Sequence, residues 1–95
     1  MSKYEVMFII DADLEDAKKE AAIETVKGII AEGGEVGQVD VWGLKKLAYP
    51  INKKNDGYYV VINFQANPEL PKELDRRLRN SENIVRHIIV NKDEQ

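Results

Sequence analysis

The sequence predicts an α+β fold: a four-stranded antiparallel sheet with two helices on one face, in the order β-α-β-β-α-β. Three observations lead there. Four segments, at residues 4–10, 35–51, 58–66 and 84–90, are rich in β-branched and aromatic residues and read as strands. Two stretches between them carry apolar residues at helical spacing. A short polar stretch, NKKNDG, joins the second and third strands as a hairpin. This order is the ferredoxin-like split-βαβ arrangement.

The first strand, YEVMFII, places Tyr4, Val6, Phe8 and Ile10 on one face and Glu5, Met7 and Ile9 on the other. The second set is mostly apolar, which suits a central strand covered on both sides. In the helix that follows, Asp13 is the expected N-cap, with Glu15 and Asp16 in the first turn, where the helix dipole favours negative charge. Ala22, Val26, Ile29 and Ile30 form its apolar face. Gly33-Gly34 is expected to end it through a left-handed residue.

The second strand is expected to be interrupted at Gly43, because a glycine inside a strand pattern often marks a bulge. Asp56-Gly57 is the expected turn pair. In the third strand Tyr58, Val60, Ile62 and Phe64 should face the helices, and Tyr59, Val61 and Asn63 should face outward. Pro68 and Pro71 fall in the first turns of the second helix, where proline is best tolerated, and Leu70, Leu74 and Leu78 give its stripe. The last residues, NKDEQ, read as a frayed polar end.

Ninety-five residues are expected to make one domain, 1–95, with a core of two layers and little room for a deep catalytic cavity. The formal net charge is −3, which taken alone argues against non-specific nucleic-acid binding. The absence of cysteine excludes disulfides, zinc-thiolate sites and thiol nucleophiles. The N-terminus lacks the pattern of a signal peptide and no segment approaches a membrane span, so a cytoplasmic location is expected.

No phosphate-binding glycine loop, nucleophile elbow or dinucleotide fingerprint occurs, and no enzymatic activity or cofactor is expected. A phosphate cradle of the acylphosphatase type is ruled out after the first strand, where Asp11-Ala12-Asp13 would repel the anion. His87 is the only histidine and reads as structural rather than as a metal ligand.

Charge is concentrated locally. Residues 41–64 carry Lys45, Lys46, Lys53 and Lys54 against Asp56, an excess of three positive charges. These lysines read either as protection of an edge strand against aggregation or as an RNA contact. Lys72, Arg76, Arg77 and Arg79 form a second basic stretch, diluted by Glu73 and Asp75, which fits a solvated helix face with internal pairs. The sheet face opposite the helices offers Glu5, Met7 and Ile9 rather than aromatics on the first strand. That disfavours base stacking across the sheet and favours a partner protein contacting Met7, Tyr59 and Val61. An oligomeric ligand-sensing or interaction module of the same topology, without RNA, is the alternative reading.

The stretch WGLKKLAYPINKKNDGYY, with YEVMFII before it and ELDRRLR after it, resembles the bacterial small-subunit ribosomal protein number six family over almost the whole chain. The resemblance implies a ferredoxin-like, non-catalytic component of the small ribosomal subunit. It implies binding to the central domain of small-subunit ribosomal RNA together with small-subunit ribosomal protein eighteen, as a heterodimer, during assembly. A basic partner and local lysines would then explain how an acidic chain enters an RNA particle. Lys45, Lys46 and Lys53 are the leading candidates for RNA contact, with Arg79 and Arg86 behind them. Family members often carry arginine where Lys45 and Lys46 stand. Lysine keeps the charge but not the bidentate fork, so point contacts to phosphate are expected there.

Overall fold

In the computed structural model, which describes the backbone of residues 1–51 and 54–94 and the side chains of residues 1–44 and 57–93, the elements follow the expected order. They are β1 (Ser2–Asp11), α1 (Asp16–Gly33), β2 (Gly34–Ile51), β3 (Lys54–Ala66), α2 (Glu69–Arg79) and β4 (Ile84–Asn91), followed by one 3-10 turn at Lys92–Glu94. The sheet order is β2-β3-β1-β4, with every neighbouring pair antiparallel, so β1 and β3 are central.

The helices pack on one face because each sheet strand there presents alternate apolar residues to an apolar helix stripe. Val6, Phe8 and Ile10 of β1, Val60 and Ile62 of β3, Val26 and Ile30 of α1 and Leu74 of α2 are fully buried in one cluster. Leu70 and Leu78 complete the α2 stripe. Tyr4 and Phe64 are directly paired across β1 and β3, and their rings stack at 5.5 Å. Tyr58 packs against the rim of this core, with Lys19 Nζ 5.0 Å above its ring.

Four local expectations need correction. Asp13 does not cap α1. The helix begins at Asp16 behind an extended Glu15 that makes no side-chain cap bond. The residues before it form a turn instead: the Leu14 N–H bonds to the Asp11 carbonyl, and the Asp13 N–H bonds to the Asp11 carboxylate at 3.0 Å. The chain must reverse direction between β1 and α1, and that reversal uses Asp13.

Gly34 ends α1 in an extended conformation, φ −164°, not a left-handed one. Its requirement for glycine is close approach. A Cβ at Gly34 would lie 2.3 Å from the Gln65 carbonyl oxygen and 2.8 Å from Ala66 Cβ. Asp56-Gly57 is not a turn. Asp56 pairs with Lys46, and Gly57 pairs with Lys45 on one side and Asp11 on the other. Pairing on both sides of β3 overrides the local turn preference of this dipeptide. The polar end is not frayed through Lys92–Glu94: the Lys3 N–H bonds to Asp93 at 3.0 Å, the Asp93 N–H bonds to Asn91 Oδ1 at 2.9 Å, and Lys92 lies 3.5 Å from Glu5.

The bulge at Gly43 is present. The β2–β3 register shifts between Val41 and Gly43, leaving Trp42 as the extra residue, and Gly43 has φ +80°.

Candidate nucleic-acid and partner interface

Side chains alternate between the faces of a strand, so the residues between the core positions line the sheet face away from the helices. Their pairing arranges them in rows across the strands. In one row Asp40, Val61, Met7 and Ile88 are successive partners, and in the next Gly43, Tyr59, Ile9 and Arg86. Beyond the first row, Asn63, Glu5 and Val90 follow. The face thus has an aliphatic row, an aromatic row and a polar margin.

The structure brings the three expected partner-contact residues together. Met7 and Val61 are direct cross-strand partners, and Tyr59 stands in the adjacent row. Val61 is only 5% exposed, already covered by its neighbours, so a partner would reach Met7 and Tyr59 more readily. Two further residues on this face are missed by sequence reasoning. Ile88 is 47% exposed beside Met7, and Trp42 is 51% exposed with its ring stacked on Tyr59, at 6.3 Å between centroids and 9° between planes. The available signal for Trp42 is a tryptophan beside a bulge glycine. The facing of β4 is not readable from sequence, because its register against β1 shifts between Ile9 and Ile10, at Val85.

The basic candidates divide into two groups. Lys45 and Lys46 continue β2 just past the bulge, opposite Gly57 and Asp56. Their side chains, and Lys53 entirely, lie outside the described residues. Arg79 ends α2 and pairs with Asp75. Arg86 is exposed, and with Arg79 and His87 it lines one shallow depression at the β4 end of the sheet.

Arg76 and Arg77 of α2 are engaged within the fold, as expected on a solvated helix face. Arg76 makes two bonds of 2.8 Å to Glu73, and this fork holds the Glu73 carboxyl below its ordinary value and raises Arg76 above its own. Arg77 reaches Glu32 on α1 at 3.0 Å. His87 lies 2.7 Å from Asp75, and that hydrogen bond, with the nearby Arg79 charge, lowers the Asp75 pKa. Among the described residues no group of three or more metal-ligating side chains converges.

The fold is that of a ferredoxin-like α+β protein whose helix-free sheet face carries an aliphatic row and an aromatic row. The chain belongs to the ribosomal protein S6 family, whose model matches residues 3–91. It is a non-enzymatic structural protein of the small ribosomal subunit, and it is located in the cytoplasm on the ribosome. It is 53% identical to the small ribosomal subunit protein bS6 of Clostridium novyi over 96% of this chain and 97% of that one. It is 54% identical to the bS6 of Clostridium perfringens over the whole of both chains. The crystal structure of ribosomal protein S6 from Thermotoga maritima superimposes with a TM-score of 0.92 at 34% identity, covering 98% of this chain and 89% of that one.

Proposed function

We propose that this chain binds the central domain of small-subunit ribosomal RNA together with small-subunit ribosomal protein eighteen during subunit assembly. The observation that carries this reading is the aliphatic row Met7–Val61–Ile88, on a sheet face that neither helix covers. An apolar row flanked by Asp40 and Glu5 suits a basic protein partner. Met7, Tyr59 and Val61 contribute the protein contact, and Lys45, Lys46 and Lys53 the main RNA contact, with Arg79 and Arg86 as a second group. Phosphate contacts from these cations supply affinity and salt dependence. The basic partner offsets the chain's net charge of −3.

Reconstitution tests this directly. Small subunits assembled without this chain should lack protein eighteen or bind it weakly, and adding the chain should restore it. Full occupancy by protein eighteen in its absence would refute the heterodimer.

A further inference from the structure

The aromatic row has a chemistry that the aliphatic row lacks. The bulge between Val41 and Gly43 pushes Trp42 out of the regular pairing, and its ring lies nearly parallel on Tyr59 while remaining 51% exposed. Tyr59 is itself fixed between Gly43 and Ile9 by pairing on both sides. The indole is therefore held flat on a rigid central strand with half of its surface presented outward.

A cation flanks it. Arg86 closes the same row on β4, exposed and opposite Ile9. From β2 to β4 is three strand spacings, roughly 14 Å at about 4.8 Å each. Asp40 and Glu5 belong to the rows beyond.

We propose that Trp42 is a stacking platform for an unpaired base of single-stranded RNA, with Tyr59 positioning the indole and Arg86, in the same cross-strand row, supplying a cation for the RNA backbone. This rests on the RNA-binding reading above and adds to it a contact with a base. An aromatic surface interleaved with cations is the pattern that binds single strands, because every base has a π-face and the backbone supplies the charge. The protein partner is served chiefly by the neighbouring row, where Met7 and Ile88 offer aliphatic surface, and meets Tyr59 at the border between the two rows.

Trp42 is the only tryptophan, so its fluorescence reports this site alone. The full chain would be titrated at low salt with an unstructured single-stranded RNA decamer and with the duplex of the same decamer, each with and without protein eighteen, and with protein eighteen alone. Labelled-RNA anisotropy would record binding independently. The single strand should quench the indole and the duplex should not. Trp42→Phe should keep most of the affinity, and Trp42→Leu should lower it by about tenfold, the usual effect of removing one stacked base. Circular dichroism and urea melts would confirm that both variants fold. Single-stranded RNA that binds without changing the indole overturns the platform and leaves the RNA reading standing. An indole that responds only to protein eighteen assigns the ring to the protein contact and also overturns it. RNA that fails to bind with or without protein eighteen removes both.

Discussion

The Nε2 atom of His87, on β4, and the Oδ1 atom of Asp75, on α2, lie 2.7 Å apart, and Asp75 also pairs with Arg79. This contact ties the last strand to the second helix. It lowers the folded pKa of Asp75, first through the His87 hydrogen bond and then through the Arg79 charge. A carboxyl with a depressed folded pKa adds stability that is full above its unfolded value and is lost as pH falls through the folded one. Asp75→Asn should therefore be less stable than the parent at neutral pH. The gap should close as pH drops below the ordinary value of 3.8. Urea melts of both proteins between neutral and acid pH check this; a gap that widens on acidification contradicts it.

Gly34, held by close approach, and Gly43, held by its positive φ, should fail in different ways. Gly34→Ala forces a Cβ against backbone at Gln65, and overpacking of this kind costs about 1–3 kcal/mol. Gly43→Ala meets nothing within 4 Å, so only its backbone at φ +80° resists, at about 1–2 kcal/mol. Denaturant midpoints give both numbers. Gly43→Asn, which tolerates the left-handed region, should recover part of the second loss but no comparable change should rescue Gly34.

Leu74 and Ile88 are both large aliphatic residues with opposite duties. Leu74 is fully buried beneath the sheet, and Leu74→Ala should cost about 2–5 kcal/mol. Ile88 is half exposed on the uncovered face, and Ile88→Ala should change stability by less than about 0.5 kcal/mol. Ile88→Ala should nevertheless weaken capture of protein eighteen. Calorimetry of the pair would show it, and an unchanged affinity would put the protein-binding surface elsewhere on the chain.

Much of the fold is legible in the sequence because its signals are periodic. Val60, Ile62 and Phe64 alternate cleanly with Tyr59, Val61 and Asn63, and Leu70, Leu74 and Leu78 sit at helical spacing, so strand, helix and facing follow from local pattern. What escapes is set by residues distant in the chain. Gly34 is required by the carbonyl of Gln65, thirty-one residues away. Gly57 has the local chemistry of a turn residue, and pairing with Asp11 makes it a strand residue. The facing of Arg86 and Ile88 depends on a register shift at Ile9 that no single segment encodes. Within the candidate site, Met7 and Val61 are readable from strand parity. The position of Trp42 over Tyr59 needs the bulge in three dimensions.

Replacing Lys45 and Lys46 with alanine should leave stability nearly unchanged, within the roughly 0.5 kcal/mol usual for substitutions outside a core. Binding to the central-domain RNA with protein eighteen should weaken. The slope of log affinity against log salt should fall by about 0.9 for each phosphate that is no longer neutralised, if the duplex value applies. A folded double variant with the parental slope would leave these lysines as protection of the β2 edge.

The most direct test of cooperation between the two proteins is the affinity of this chain for a central-domain RNA fragment, measured with and without protein eighteen at fixed salt. A chain of net charge −3, with an excess of only three positive charges over residues 41–64, should bind weakly alone and much more tightly with its basic partner. Equal affinity in the two conditions would contradict the account.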